Sequence, residues 1–297
     1  MRRRRVSYLG GLGLALALVV SGTAAAAGTQ KVEAGFKPEF TNGPPFPVPP
    51  LPIPPPVIDE PPGFTKGGTL YTRLFLDGFA SPVPEAARFD IHAPEELKFN
   101  TKGLAQCDPN AIRGRSDAEA RQICSKALIG SGSASAFLAD GVPPLVGGVT
   151  LFNGTKQNGF STVLFHSTAG TPVTLVSEMQ NSPLPGFGIL FRTLVAQSAG
   201  GGVPDGIPIV DTDFTISKKY TDKKLAKKAK KLLKKAKAAS GKKAKKLKKK
   251  ARKLKKKSKK SWVQARCIDG VAVTRIEVTY TASPPQSDET TQECVVN

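Results

Sequence analysis

The sequence predicts an all-β protein: a single β-sandwich-like or jelly-roll-like domain with one short helix and a Lys-rich helical insertion. Three observations predict this fold class. Short segments of two-residue alternation recur along the chain, and Gly and Pro clusters separate them. Once two low-complexity segments are set aside, roughly 190 residues remain, which suits one all-β domain.

Alternation predicts the first strand at 67–80, where Leu70, Thr72 and Leu74 alternate with aromatic and charged residues. Asn153–Gly154 is a favourable turn pair, and 268–270 is predicted to turn a hairpin. The remaining predicted strands are 88–92, 133–139, 148–152, 160–167, 173–176, 189–196, 207–217, 262–267, 271–281 and 294–296. We assign these strands to one domain formed by residues 67–217 and 261–297.

One short helix is predicted from Asp117 to Leu128. Ser116 and Glu119 fit the S-x-x-E capping box, and apolar residues follow at three- to four-residue spacing. Cys124 falls on the inner face of this helix, and Cys107 lies on the loop before it.

Four cysteines, Cys107, Cys124, Cys267 and Cys294, predict disulfides if the chain is exported. Four cysteines allow three pairings. We favour Cys107–Cys124 and Cys267–Cys294, since the members of each pair are close in sequence; unpaired buried thiols are the alternative. Each bridge would contribute about 3 kcal/mol in the chain-entropy model.

The N-terminus predicts export. Met1 is followed by four arginines, an apolar run from Leu9 to Val20, and small residues up to Gly28. This is the pattern of a signal peptide, assigned to residues 1–27. An uncleaved membrane span is the alternative, but the apolar run is shorter than the roughly 20 residues that a span needs. We therefore expect a secreted protein, extracellular or associated with the cell wall.

Prolines dominate the next segment, with 11 in the 19 residues from Pro44 to Pro62. Proline lacks the donor that a sheet ladder needs, so residues 28–66 are predicted to be an extended Pro-rich linker. A ligand for a Pro-recognising domain is the alternative function for this segment.

Charge divides the chain into two unlike parts. Residues 218–260 hold 25 of the 44 Lys and Arg residues and one acid, a net charge of +24. Without that segment and the four leader arginines, 15 basic and 22 acidic residues remain, a net charge of −7. The overall basic character therefore comes from one segment.

The Lys-rich insert at 218–260 has a helical pattern. Leu225, Ala229, Leu232 and Ala236 recur at spacings of four, three and four. A second stripe, at spacings of three, four and three, consists of Ala244, Leu247, Ala251 and Leu254. Asp222 can cap the first helix, and Ser240–Gly241 separates the two. We expect the halves to fold back as a hairpin along their Ala/Leu stripes, or to remain partly disordered through charge repulsion.

The insert is predicted to bind polyanions through its cationic side chains. The absence of aromatic residues from 223 to 260 makes that binding independent of base sequence. The expected partners are anionic cell-envelope polymers or other polyanions, with surface contact to anionic lipid. The candidate residues are Lys223, Lys224, Lys227, Lys228, Lys230, Lys231, Lys234, Lys235, Lys242, Lys243, Lys245, Lys246, Lys248, Lys249, Lys250, Arg252, Lys253, Lys255, Lys256 and Lys257.

Two resemblances support these expectations. The insert resembles linker-histone tails in composition only, which implies anion binding and no shared fold. Phe99–Gly103, Cys107–Pro109, and Cys124 leading to Ile129–Gly132 together resemble uncharacterised secreted all-β proteins of high-GC Gram-positive bacteria. The late Cys267 and Cys294 fit that group, whose members carry no activity that can be transferred to this chain.

The sequence contains two histidines, and neither predicts a site. His166 lies in an apolar strand, so we expect a structural core histidine. His92 lies among Asp90, Glu95 and Glu96, which predicts a solvated acidic turn; a metal or acid–base site is the alternative.

Other chemical motifs are equally weak. Asp205, Asp211 and Asp213 cluster before a predicted strand. Asp211–Thr212–Asp213 could hold one calcium ion with backbone oxygens, but this segment lacks the glycine spacing of a calcium loop. Gly130–Ser133 and Gly200–Gly202 are interpreted as flexible loops. Neither a catalytic motif nor a cofactor site is predicted.

Three functional hypotheses remain at this point. The first is a secreted, non-enzymatic protein that attaches to anionic cell-envelope polymers through the insert. The second is a secreted hydrolase acting on wall or polysaccharide, which would need two convergent carboxylates, or His92 with an acid, in a cleft. The third is a structural extracellular domain with an inert insert.

Overall fold

The computed structural model describes residues 29–38, 68–77, 85–136, 144–195, 209–266 and 271–293. The strands are β1 (Thr29–Pro38), β2 (Gly68–Asp77), β3 (Ala86–Pro94), β4 (Leu97–Phe99), β5 (Leu128–Ala136), β6 (Leu145–Gln157), β7 (Phe160–Ser167), β8 (Val173–Asn181), β9 (Phe187–Leu194), β10 (Ile209–Ile216), β11 (Lys219–Thr221), β12 (Lys259–Ser261), β13 (Val263–Ala265), β14 (Val271–Tyr280) and β15 (Gln286–Glu293). The helices are α1 (Pro109–Ile112), α2 (Asp117–Cys124), α3 (Lys223–Lys237) and α4 (Gly241–Ser258).

Eleven of the described strands form one antiparallel sheet in the order β1-β2-β10-β5-β6-β7-β8-β9-β3-β14-β15. Its two edge strands, β1 and β15, contact each other, so the sheet curls until its edges meet. Facing parts of the sheet then share one interior, as the layers of a sandwich do. The predicted all-β class is confirmed.

Antiparallel order gives the curled sheet two distinct ends. Since neighbouring strands alternate in direction, β1, β10, β6, β8, β3 and β15 all run the same way. β3 leads into β4, and β10 leads into β11 and the Lys-rich insert. We call the end where β3 and β10 finish the root end, because the Lys-rich insert begins there. The opposite end holds an apolar interior cavity, and we call it the cavity end.

A small ribbon fills the root end. β4 pairs with β13, and Trp262, just before β13, is fully buried. The Phe99 ring meets Trp262 and Phe191 edge to face, at centroid distances of 5.2 and 4.9 Å. These rings join Leu97, Val263 and the sheet residues around them in one interior cluster. Aromatic burial of this kind dominates core energetics.

A second cluster lies on the outer face of the sheet, beneath α1 and α2. Cys107 and Cys124 form a disulfide with a Cα–Cα distance of 5.4 Å, as predicted. The bridge and Ile112 pack against Phe152 and Leu164 from the sheet. The predicted capping box of Ser116 and Glu119 is present with both of its hydrogen bonds.

Helix α2 differs from its prediction in length and orientation. It ends at Cys124, and Leu128 already begins β5. Ile123, one of the apolar residues at three- to four-residue spacing, is 51% exposed. The disulfide at Cys124 and the burial of Ala120 set the rotation of this short helix instead.

Residues 28–66 are not a linker throughout. Thr29–Pro38 form β1, which pairs with β2 along its whole length, and the last pair is Pro38 with Gly68. The Pro-rich segment therefore leaves and returns at the same point, and connects two neighbouring strands. The rest of the predicted linker, like the predicted signal peptide, lies outside the described residues.

The turn predicted at Asn153–Gly154 is wrong. β6 continues through it, and the chain turns at Asn158–Gly159, whose φ angles are +50° and +84°. Positive φ at both positions is what a two-residue hairpin turn requires. A side chain at position 154 would lie 2.1 Å from the Thr162 hydroxyl, so this glycine permits close packing rather than a turn.

Two further local predictions are corrected. Residues 262–267 were predicted to form a hairpin with 271–281, but 263–265 pair with β4 and not with β14. Trp262, just before them, is fully buried in the interior. Gly130–Ser133 belongs to β5 and is not a loop. A side chain at Gly132 would lie 1.8 Å from the Asp213 carbonyl oxygen, so glycine here lets β10 approach. Gly200–Gly202 and the predicted turn at 268–270 lie outside the described residues.

Candidate polyanion-binding site

Helices α3 and α4 form a hairpin that packs along an alanine-rich seam. Ala229 and Ala236 of α3 are each 2% exposed, and Ala251 of α4 is fully buried. Leu225, Leu232, Leu247 and Leu254 flank them, partly buried. Small side chains let the helix backbones approach closely, so both predicted stripes meet as expected. The predicted helical insertion is confirmed.

Asp222 begins the first helix, also as predicted. Its Oδ1 accepts hydrogen bonds from the backbone N–H groups of Lys224 and Leu225, at 3.0 and 3.1 Å. The Asp222 backbone N–H donates to the carbonyl of Ser258 at 2.8 Å, which joins the start of α3 to the end of α4. At the other end of the hairpin Ser240 occupies the N-cap position of α4, but its side chain makes no capping bond.

The hairpin is fixed to the body through a short root, which we define as β11, Asp222 and β12. β11 pairs with β12. The Tyr220 hydroxyl donates to the carbonyls of Asn100 and Lys102, at 2.8 and 2.9 Å. The Trp262 backbone N–H donates to the Lys218 carbonyl at 2.8 Å. The root is thus bonded directly to the ribbon that fills the root end of the sheet.

The buried carboxylate of the root is paired. The Lys260 ammonium lies 3.3 Å from Asp222 Oδ2. Burial raises the pKa of Asp222, but the backbone N–H of Leu225 and the Lys260 ammonium outweigh it, so the pKa falls below its usual value. Burial, with the nearby Asp222 charge, raises the pKa of Tyr220 to about 12. Tyr220 therefore keeps its proton and remains a donor at neutral pH.

All twenty candidate cationic residues are exposed. The structure adds Lys237, exposed on α3, which the stripe pattern had not singled out. α3 carries nine lysines, and α4 carries eleven lysines and Arg252. An 18-residue helix spans about 27 Å, so the hairpin presents one positive charge per about 1.3 Å of its length. Duplex DNA carries one negative charge per about 1.7 Å.

The hairpin projects from the body. Among the described elements its helices pack chiefly against each other, and α4 also contacts β12. The mildly acidic body does not cover the lysines. They are available to a partner on both helices at once.

The histidines take structural positions. His166 is fully buried beneath α2, and its Nδ1 lies 3.0 Å from the Thr174 hydroxyl, in keeping with the predicted core role. His92 is not in a solvated turn: it lies on β3, 3% exposed, with its Nδ1 2.9 Å from the Ser182 hydroxyl. Burial lowers the pKa of both rings.

The carboxylates near His92 are engaged by arginines. Arg192 makes a two-bonded contact with Asp90, at 3.0 and 2.9 Å, and Asp90 is 2% exposed. Arg275 lies 2.9 Å from both Glu277 and Glu289. The Arg192–Asp90 and Arg275–Glu289 pairs join neighbouring strands, whereas Arg275 and Glu277 both belong to β14. All three pairs lie on the outer face of the sheet. The curled sheet encloses apolar space in its interior, and these charged side chains are not among the described residues that line it.

The acidic cluster considered for calcium does not converge in the described residues. Asp211 pairs with Arg73 at 2.8 Å, Asp213 accepts a hydrogen bond from Ser133, and Asp205 lies outside the description. In the parts of the chain that the structure describes, no three His, Cys, Asp or Glu side chains group as metal ligands. Cys267 and Cys294 also lie outside these parts, so their pairing stays a prediction.

In comparisons with known proteins, no protein-family profile, curated protein or solved structure matches this chain. The suggested resemblance to secreted all-β proteins therefore stays a prediction. Within the described residues, none of the helices has both the length and the apolar character to cross a membrane.

Proposed function

We propose that this chain is a secreted, non-enzymatic protein that associates with anionic cell-envelope polymers through the α3–α4 hairpin. One observation carries the proposal: the hairpin presents twenty-one exposed cationic side chains on two helices that are bonded to a rigid β body at their root. The predicted signal peptide supports export, and the regular spacing of charge supports a polymeric partner.

The hairpin's construction argues against an inert insertion. Like charges at three- and four-residue spacing destabilise a helix by about 0.2–0.5 kcal/mol per pair, so a lysine helix is costly without a compensating contact. Here the Ala/Leu seam, the Asp222 cap and the Tyr220 bonds supply such contacts. They hold the charges in a fixed array, which an inert, solvated loop would not need.

The partner should be recognised by its charge alone. The apolar stripes of both helices are used in the seam, and Leu233, 37% exposed, is the large apolar side chain that the hairpin shows to solvent. Contact with an anionic lipid surface would thus be limited to its headgroups. Phosphate polymers of the wall, whose charges repeat along a flexible chain, fit a rod of lysines better.

The test is salt-dependent binding to wall teichoic acid, with duplex DNA as a reference polyanion. In the deletion variant an Asn-Gly turn replaces residues 222–258, which retains β11 and β12 and closes them as a tight hairpin. If six to ten phosphates are engaged, the affinity of the intact protein should drop about 10³–10⁵-fold between 50 and 200 mM salt. The deletion variant should lose this binding.

Two charge variants separate charge from shape. Changing the nine lysines of α3 to Gln keeps good helix formers but removes nine of the twenty-one positive charges on the two helices, and changing them to Arg keeps the charge. Gln should flatten the salt dependence, and Arg should preserve it. Equal, weak binding by the intact protein and the deletion variant would refute the proposal.

A further inference from the structure

The interior of the curled sheet is not completely filled. A cavity of about 130 Å³ lies between β2, β3 and the run of strands from β5 to β10. Its walls come from the starts of β3, β8 and β10 and the ends of β5, β7 and β9. By strand direction this places the cavity at the cavity end of the sheet, opposite the ribbon and the lysine hairpin.

The cavity follows from the composition of β5. This strand reads LIGSGSASA, so the inward positions near its end are occupied by Ala134 and Ala136. Larger residues stand around them, including Leu74, Phe165 and Phe214. Because β5 carries small side chains where its neighbours carry large ones, it leaves empty space. In a fully packed core an aliphatic side chain such as leucine would fill that space.

Of the described polar residues that line this space, Thr212 alone has a buried hydroxyl without a partner. Thr212 lines the cavity, and its hydroxyl is buried and forms no hydrogen bond. On its two neighbouring strands Thr212 is opposite Leu74 and Ala134, whose side chains offer nothing to bond. Buried hydroxyls are normally paired, so an unpaired one in an apolar cavity points to a ligand atom.

Aromatic rings favour one shape of ligand. Phe89, Phe165 and Phe214 all line the cavity, and the Phe165 and Phe214 rings meet edge to face with centroids 5.3 Å apart. Such rings offer both edges and faces to a further ring. Apolar cavities of about 150 Å³ are known to bind benzene. The residues described as lining this cavity carry no charge, which selects an uncharged ligand.

We propose that this cavity binds a small, uncharged, single-ring aromatic molecule carrying one polar atom, the chemistry of a phenol. The ring packs among the three phenylalanines, and rotation of the Thr212 side chain about χ1 turns its hydroxyl, which is closed off in the empty cavity, toward the polar atom. The site shares no residue with the lysine hairpin and lies at the other end of the sheet, so the proposal does not depend on polyanion binding. A protein attached through its hairpin would keep this end free.

Calorimetric titration of the chain without its predicted signal peptide, using phenol and toluene, tests the proposal. Both should bind saturably at one site. Thr212→Val keeps the shape and removes the hydroxyl, so phenol affinity should fall about two- to tenfold while toluene affinity holds. Thr215→Val, on the same strand but facing outward, is the matched control and should change neither.

Filling the space gives the second arm. Ala134→Leu should lower the affinity for both molecules at least tenfold while thermal unfolding stays cooperative. If that variant does not fold, the Thr212→Val and Thr215→Val pair decides alone. Three results would overturn the proposal: no saturable phenol binding up to millimolar concentration, binding that a folded Ala134→Leu variant leaves unchanged, or equal effects of the two threonine variants.

Discussion

The β body and the lysine hairpin are stabilised in opposite ways. The body buries large side chains such as Trp262, Phe152 and Leu164 completely, and its buried Asp90 is paired with Arg192. The hairpin buries little more than alanines, and its lysines repel one another along both helices. Substitutions in the core of the body should therefore cost much stability. The helical order of the hairpin should depend instead on the contacts of its root and on screening of its charges by ions.

This difference means that the stability of the body and the surface charge of the hairpin depend on different residues. Surface charge on the hairpin can change without touching the core of the body, since the hairpin contacts the body through its root alone among the larger described contacts. The root is the point where the two regions meet, through Tyr220 and Asp222, and Trp262 of the body follows β12 directly. Substitutions there and on either side of it should show how far the separation holds.

The largest effect is expected from Trp262→Ala. This side chain is fully buried among Phe99 and the interior cluster, so its removal should lower the free energy of unfolding by about 3–5 kcal/mol. Denaturant unfolding followed by circular dichroism measures the change. Leu233→Ala, a truncation on the exposed side of the hairpin, serves as the control and should cost about 0.5 kcal/mol or less. Comparable losses in both variants would contradict the separation.

A smaller, local effect is expected from Asp222→Ala. The variant loses the cap of α3 and the partner of Lys260, which should destabilise the hairpin by about 0.5–2 kcal/mol. Hydrogen exchange should speed up at the amides of α3 and leave those of β6 and β7 unchanged. Ser240→Ala is a matched control, because the Ser240 side chain makes no capping bond, and should change little.

The same aspartate predicts a pH dependence. Because the pKa of folded Asp222 lies below its ordinary value of 3.8, its contribution is fully present above that value. It is lost as the pH falls through the lowered, folded-state pKa. Exchange in α3 should accelerate over that acidic range in the natural protein, and the Asp222→Ala variant should lack this step. An identical acid profile for both proteins would contradict the assignment.

The smallest expected effect is that of salt on the free protein. Screening weakens repulsion between exposed lysines, each pair being worth a few tenths of a kcal/mol, so helicity at 222 nm should rise between 10 and 500 mM salt. The deletion variant that lacks residues 222–258 should show no such rise. A rise of equal size in both proteins would locate the effect in the body instead.

Much of this architecture could be predicted from local pattern. The alternation at 160–167 predicted β7 with its observed bounds, and the Ala/Leu stripes predicted the hairpin seam. β1 was missed although Val32, Ala34 and Phe36 occupy alternate positions. The prolines from Pro44 onward led us to assign all of residues 28–66 to a linker. The sequence offers two Asn-Gly pairs, 153–154 and 158–159, for one turn. The close packing of Gly154 against Thr162 explains why the first pair remains in β6 and the turn forms at the second.

What the sequence could not predict depends on distant contacts. Tyr220 bonds to backbone carbonyls 118 and 120 residues away, so the root of the candidate site had no local signal. The burial of His92 is similar, because Ser182 and Phe187 come from far along the chain. The small residues of β5 were visible, but the cavity exists only because larger side chains on seven other strands surround them.

The contact between β1 and β15 has a consequence that follows from parity. Eleven strands in antiparallel succession are an odd number, so the first and the last run in the same direction where they touch. Every other neighbouring pair in the sheet is antiparallel, and no hydrogen-bonded ladder joins β1 to β15 within the residues described. The curled sheet is therefore hydrogen-bonded between all neighbouring strands except β1 and β15. Under mechanical or thermal stress, we expect the sheet to open first between these two strands.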